Sequence, residues 1–119
     1  MAIELRSPLE SCVSIQETAG ANKTKGTVEL IGGSIGFWAT DVSNGKLGAV
    51  IVRADEIEVD VDSAATYNAG DILYDSSTAP TGTFNKTSGA GRRAVAIVKK
   101  DYPALTAKIS AVLFNGVGV

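Results

Sequence analysis

The chain has 119 residues, a net charge of −2 and an apolar share of 45%, which describes one globular domain. The small negative charge gives no electrostatic reason to bind nucleic acid, and no apolar run approaches the roughly 20 residues that span a bilayer. The sequence contains no histidine, the commonest general base and metal ligand. We therefore expect no enzyme, no cofactor, no metal, and no direct nucleic-acid or membrane partner.

The N-terminal residues do not have the pattern of a signal peptide, because Glu4 interrupts the first apolar stretch. Cys12, the only cysteine, cannot form an internal disulfide, which agrees with synthesis in a reducing cytoplasm. With no histidine to activate it, Cys12 is interpreted as a small apolar side chain in a strand.

Short runs of valine and isoleucine, separated by glycine, proline or asparagine, predict many strands joined by tight turns. In chain order the predicted strands cover residues 11–17, 26–31, 34–40, 47–52, 55–62, 72–74, 83–86, 92–99 and 107–114. The first alternates, which predicts a half-buried strand with Val13 and Ile15 on one side. The fourth is apolar almost throughout, which predicts a strand covered on both faces.

The fold class is predicted from the turns and from the lack of long segments with helical periodicity. Gly32-Gly33 predicts a hairpin, and Asn44-Gly45 predicts a further tight turn. Only residues 63–67 have helical character, with Ser63 as an N-cap. No segment is long enough for a helical crossover, so we predict an all-β fold, a compact antiparallel β-sandwich or barrel with at most one short helix. Edge strands in so small a domain favour a homo-oligomer, a dimer or trimer.

One strand carries a row of carboxylates. Residues 55–62 alternate, with Ile57, Val59 and Val61 on the apolar side. The acidic row on the other side consists of Glu56, Glu58, Asp60 and Asp62. These are about 7 Å apart along the strand, too open for a paired-carboxylate site. A solvated face and a contact with a basic partner remain as interpretations, ahead of metal binding or catalysis, and a neighbouring Lys or Arg would relieve the repulsion.

Arginine and aromatic residues supply further candidates for contact with a partner. Arg92 and Arg93 point to opposite faces of one strand, so at least one is a candidate contact residue. Adjacent Phe37 and Trp38 also face opposite sides, so one can fill the core while the other meets a loop, a subunit or water. The core is the default interpretation for each aromatic residue, and Trp38 and Tyr102 are the candidate interface anchors.

A succession of motifs covers nearly the whole chain. The motifs are GTVELIGGSIGF at residues 26–37, a turn at 40–41, the 49–61 region, YNAGDILYD at 67–75, RAVAIV at 93–98 and the closing 107–116 segment. Their order over residues 10–116 resembles the small capsid cement, or head-decoration, family of tailed phages. Each motif consists of turn glycines and strand apolars and has low specificity, so the resemblance rests on the order.

The resemblance implies a structural capsid cement protein. Such a protein is made in the host bacterial cytoplasm, binds the outer capsid surface of the virion and stabilises contacts between major capsid subunits, with no catalytic residues. Two segments depart from the pattern, residues 99–107 and an N-terminal arm at 1–10 that precedes a single β-domain at 11–119. The acidic row or the arm is expected to contact the capsid or a sister subunit. The candidate interface residues are Trp38, Glu56, Glu58, Asp60, Arg92 and Tyr102.

Two other functions fit the sequence less well. A head-fibre or surface module that binds a host glycan or receptor is possible, because β-sandwiches with exposed aromatics also bind sugars. A hydrolase would need Ser34 or Ser14 as its nucleophile, without a histidine base or a Gly-x-Ser-x-Gly turn.

Overall fold

The computed structural model describes residues 3–76, 78 and 80–115, so the predicted segments 1–10 and 11–119 and the closing motif at 107–116 extend beyond the described residues. A one-turn 3-10 helix, Leu9–Ser11, is the only helix among the described residues. The strands are β1 (Ile3–Leu5), β2 (Val13–Thr18), β3 (Val28–Ile31), β4 (Ser34–Trp38), β5 (Leu47–Val61), β6 (Ile72–Ser76), β7 (Thr83–Phe84), β8 (Arg92–Val98) and β9 (Lys108–Leu113). The predicted all-β fold class is confirmed: the strands form one curled antiparallel sheet, a half-barrel.

The long strand β5 is the centre of the sheet. Its first half pairs with both β2 and β4, and its second half pairs with both β1 and β9. The short β7 adds the parallel pair of the sheet at the end of β5. The remaining order runs β5-β9-β8-β6 on one side and β5-β4-β3 on the other. Five of the other strands therefore depend on β5 for their backbone hydrogen bonds.

The predicted hairpin at the Gly32-Gly33 pair is confirmed. β3 and β4 pair antiparallel, with Ile31 opposite Ser34, and the two glycines form the turn between them. Gly32 has a φ of +57°, a backbone conformation that glycine adopts without a Cβ penalty.

The strands predicted at 47–52 and 55–62 form the single strand β5, because Arg53 and Ala54 between them also pair with neighbouring strands. The two halves of β5 differ in burial. In the second half Ile57, Val59 and Val61 point into the main core, and the acidic side chains point away from it. In the first half Val50 and Ile51 are both fully buried on opposite faces of the sheet. This strand is therefore covered on both faces only where a second apolar cluster lies behind it.

The second cluster is built around the indole of Trp38. It packs with Ala19, Val42, Val50 and Val52 on the face opposite the main core. A Cβ at Gly48 would lie 2.5 Å from Val42 Cγ2 and 2.9 Å from Trp38 Cζ3, so only glycine fits there.

The N-terminal arm predicted at residues 1–10 contacts the sheet through residues 3–7 in its described part. β1 pairs with the second half of β5, with Ile3 opposite Val59, and Ile3 is fully buried in the main core. Arg6 and Ser7 continue the contact through backbone hydrogen bonds to the carbonyl of Glu56. The apolar residue at position 3 gains a buried place on the sheet, which outweighs the loss of chain entropy.

Two local predictions are also corrected. Residues 63–67 form a turn without a helix, because Asp62 accepts a hydrogen bond from the Ala64 backbone and the chain then pairs at Tyr67 with Tyr102. β2 is a strand as predicted, but Val13 and Ile15 are 50% and 37% exposed, so its apolar side chains are not in the core.

The segment after β6 is held by a fully buried carboxylate. Asp75 accepts hydrogen bonds from the backbone N–H groups of Ser76, Thr81 and Gly82 at 2.7–3.0 Å and from the Thr81 hydroxyl at 2.9 Å. Hydrogen bonds to these donors offset the cost of burying the carboxylate. In the part of the chain that the structure describes, no helix is long and apolar enough to cross a membrane.

Candidate docking surface

The acidic row of β5 is paired within the chain. Basic side chains from β9 and from the residues that follow β1 and β8 reach its carboxylates. The ion pairs are Arg6–Glu58 at 3.2 Å, Lys99–Glu56 at 3.4 Å and Lys108–Asp60. The hydrogen bond from Lys108 to Asp60 raises the pKa of the lysine. The expected basic neighbours are thus present, and a partner of this face would have to displace them.

Arg92 joins strands of its own chain. Its Nη2 donates hydrogen bonds to the Tyr74 carbonyl and to Asn85 Oδ1, each at 2.9 Å. These contacts tie β8 to β6 and to the residue after β7. The candidate interface residue Arg92 therefore has a structural role in the fold.

The two candidate aromatic anchors are likewise engaged within the chain. Trp38 is fully buried in the second cluster, so its prediction as an interface anchor is wrong. Both faces of β4 are covered, because Phe37 lies in the main core and Trp38 lies in the second cluster. Tyr102 is half-buried, and its hydroxyl accepts a hydrogen bond from the Ser110 backbone N–H at 2.9 Å. Tyr102 holds its loop against β9.

A pocket of about 250 Å³ opens where β2, β4, β5, β8 and the residues after β9 meet. Three side chains give it apolar walls, and its polar groups are two guanidinium groups, a hydroxyl and an amide. The lining residues are Val13, Ser34, Val52, Arg53, Arg93, Phe114 and Asn115. The pocket combines positive charge with apolar surface, and none of the described residues that line it carries a carboxylate.

Asn115 fixes the geometry of the pocket wall. Its Oδ1 accepts a hydrogen bond from the Ile35 N–H at 2.7 Å, and its Nδ2 donates to the Val52 carbonyl. Its own carbonyl accepts a hydrogen bond from Arg93 Nη2 at 3.2 Å. The Asn115 side chain thus connects β4 and β5, and the Asn115 backbone carbonyl adds a contact to β8.

The two arginines of the pocket have unused hydrogen-bonding capacity. The Arg53 side chain is exposed and makes no hydrogen bond or ion pair with any described residue. Arg93 makes one side-chain hydrogen bond, and its buried Nε has no partner among the described residues. Both guanidinium groups can therefore accept a further partner at the pocket.

Beside the pocket lies the exposed apolar side of β2. Val13 and Ile15 point to the same side, and Ile15 lies opposite Val50 of the second cluster. Among the described residues β2 pairs with β5 alone, which makes it an edge strand. We call Val13, Ile15, Arg53 and Arg93, with the pocket between them, the docking surface.

Most of this surface was not predicted from the sequence. Arg92 was the candidate interface residue, although alternation indicated that Arg92 and Arg93 face opposite ways. Val13 and Ile15 were expected inside, because an alternating pattern does not tell whether anything covers the apolar side. No local signal in the sequence identified Ser34 or Asn115 as pocket residues.

No protein-family model matches the chain, and no curated protein matches it in a sequence search.

Proposed function

We propose that this chain is a structural capsid cement protein that binds the outside of a tailed-phage head and stabilises contacts between major capsid subunits. The observation that carries the proposal is the docking surface, an exposed apolar edge strand beside two arginines with free donors. The order of sequence motifs, with its resemblance to the cement family, supplies the identity of the partner. The compact all-β fold agrees with both.

The docking surface has the character of a protein interface. Exposed apolar side chains beside arginine are typical of the centre of such interfaces, and an edge strand offers unpaired N–H and C=O groups to a partner backbone. The acidic row is a weaker candidate, because three of its carboxylates already have ion-pair partners on the flanking segments. We therefore place the capsid contact at β2 and not at the acidic row.

The proposed role needs only a modest contact from each copy. A shell carries many symmetry-related binding positions, and linked copies gain avidity without additional contacts. A protein that binds the assembled head better than its dissociated subunits stabilises the head by mass action. A dimer or trimer of the chain on the outer virion surface would bridge neighbouring capsid subunits in this way.

The test uses phage heads that lack the protein. Purified chain is added to them, bound copies are located by electron microscopy, and the release of DNA on heating is followed. Bound density at capsid seams and a higher release temperature are expected. Heads that bind no added chain would contradict the proposal, and glycan binding without head binding would favour the fibre module.

A matched pair of variants tests the position of the contact. Ile15→Ser and Leu30→Ser remove apolar side chains that are 37% and 36% exposed, on two different edge strands. We expect Ile15→Ser to weaken head binding about tenfold, the effect of roughly one buried apolar side chain. Leu30→Ser should bind like the wild type, and equal losses in the two variants would remove β2 from the contact. Charge reversal of Glu56 and Glu58 is expected to leave binding unchanged.

A further inference from the structure

The four arginines of the chain divide into two pairs with different surroundings. Arg6 has carboxylate partners at Glu4 and Glu58, and Arg92 donates to two oxygens of its own fold. Arg53 and Arg93 instead line one pocket, and no described carboxylate pairs with either. Two cationic groups repel each other at one opening, so an anion bound between them is favoured.

Guanidinium groups select the geometry of the anion. The planar fork of an arginine accepts a carboxylate or a phosphate through two parallel hydrogen bonds. No described residue accepts a hydrogen bond from Arg93 Nη1 or from the Arg53 side chain, so donors are available on both. The Asn115 carbonyl holds Arg93 at the wall through Nη2, which limits the entropy lost when a ligand binds.

The apolar walls distinguish between these anions. Val13, Val52 and Phe114 line the same pocket, whose volume of about 250 Å³ is several times that of one water molecule, about 30 Å³. A bare inorganic phosphate would leave these walls in contact with water. A carboxylate on an apolar stem pairs its charge with the arginines and buries its methylene groups against the walls.

We infer that the pocket binds a carboxylate carried on an apolar stem, either a glutamate side chain or the C-terminal residue of a partner protein. The inference deepens the proposed function and rests on it only for the identity of the partner. A partner strand added to the edge of β2 would direct alternate side chains to the pocket side of the sheet.

The experiment uses small probes and amide chemical shifts of the full chain. N-acetylglutamic acid α-amide represents a glutamate side chain, and N-acetyl-leucine represents a C-terminal residue. Their neutral counterparts are N-acetylglutamine amide and N-acetyl-leucine amide, and inorganic phosphate is the third type of probe. We expect at least one acid to shift the amide signals of Ser34, Arg53, Arg93 and Asn115 in a saturable way. Neither neutral counterpart should do so.

Variants separate the pocket from general charge effects. Arg53→Gln should weaken binding of the acid about tenfold, as expected for the loss of one charge-assisted hydrogen bond. Lys46→Gln removes the same charge from an exposed residue outside the pocket and should leave binding unchanged. The Arg53 side chain is exposed and has no hydrogen-bond or ion-pair partner among the described residues, so its variant should keep the wild-type unfolding temperature.

The outcomes distinguish this inference from the proposed function. The carboxylate site would be overturned if the acids and their neutral counterparts caused equal shifts, or if no probe caused a shift. It would also be overturned if phosphate bound as tightly as the acids. Heads that bind the wild type and Arg53→Gln equally well would also overturn it and leave the cement proposal intact. Acid binding without head binding would preserve the pocket and remove the cement function.

Discussion

Removal of the Asn115 side chain should destabilise the whole sheet, because this residue joins three strands at one point. Its side chain is the hydrogen-bond partner of the Ile35 N–H and of the Val52 carbonyl, and both residues are buried. An unpaired buried polar group costs about 1–3 kcal/mol. The adjacent pocket admits water to part of this site, so we expect Asn115→Gly to lower the free energy of unfolding by about 2–3 kcal/mol.

Two further substitutions at the same position separate the side chain from the backbone. Asn115 has a φ of 56°, where a residue with a Cβ costs roughly 1 kcal/mol more than glycine. Asn115→Ala should therefore be less stable than Asn115→Gly by about that amount. Asn115→Asp keeps the acceptor for Ile35 but places a carboxylate oxygen against the Val52 carbonyl at a buried site, so a loss at least as large as that of Asn115→Gly is expected.

Urea unfolding followed by tryptophan fluorescence measures these differences, because Trp38 lies in the second cluster against Val52. The control is Asn68→Ala, which changes an exposed asparagine and should stay within about 0.5 kcal/mol of the wild type. If Asn115→Gly unfolded at the same urea concentration as the wild type, the role of Asn115 as a connection between strands would be refuted.

Three further predictions concern other parts of the fold. Gly48→Ala should lower the stability measured by thermal unfolding by about 1–3 kcal/mol, because the added Cβ clashes with the second cluster. The control, Gly20→Ala, meets nothing within 4 Å and should be neutral, and equal effects of the two variants would contradict the clash. Asp75→Ala should lower the free energy of unfolding in urea by about 2–4 kcal/mol, because it leaves several buried donors unpaired. A near-neutral result would show that water replaces the carboxylate. Burial, and then the nearby Asp62 carboxylate, raise the pKa of Tyr67 above 10.0, so the folded state keeps the phenol proton that the unfolded state loses. The contribution of the protonated Tyr67 to stability is complete below pH 10 and should be lost as the pH rises above it. A Tyr67→Phe variant whose urea midpoint falls above pH 10 as steeply as that of the wild type would contradict this.

The parts of the fold that were predicted correctly depend on local pattern. The alternation of apolar residues in β5 predicted that Ile57 and Val59 lie in the core, and the Gly32-Gly33 pair predicted the hairpin. Both signals could be found in the sequence because strand alternation and positive φ depend on neighbouring residues. The continuous apolar run at 47–52 indicated a strand with two covered faces, which is correct for Val50, Ile51 and Val52 and wrong for Leu47, which is 63% exposed.

The parts that were not predicted depend on contacts between distant residues. The sequence of β2 alternates in the same way whether its apolar side is covered or exposed. The burial of that side depends on the placement of β5 and the second cluster. Ile3 was assigned to the N-terminal arm from the sequence, but in the fold it lies in the main core, because it pairs with Val59 of β5. The pocket joins Ser34 to Asn115, so no local segment contains its signal.

The central position of β5 has a consequence for the folding kinetics. Its neighbours come from both ends of the described chain, with Ile3 and Ile109 on either side of Val59. Long loops must close before β5 gains these hydrogen bonds, and proteins dominated by such pairings fold slowly, on a scale of milliseconds to seconds. We expect the sheet to assemble in one cooperative step in which substitutions on β5 slow refolding more than substitutions on β3 or β6.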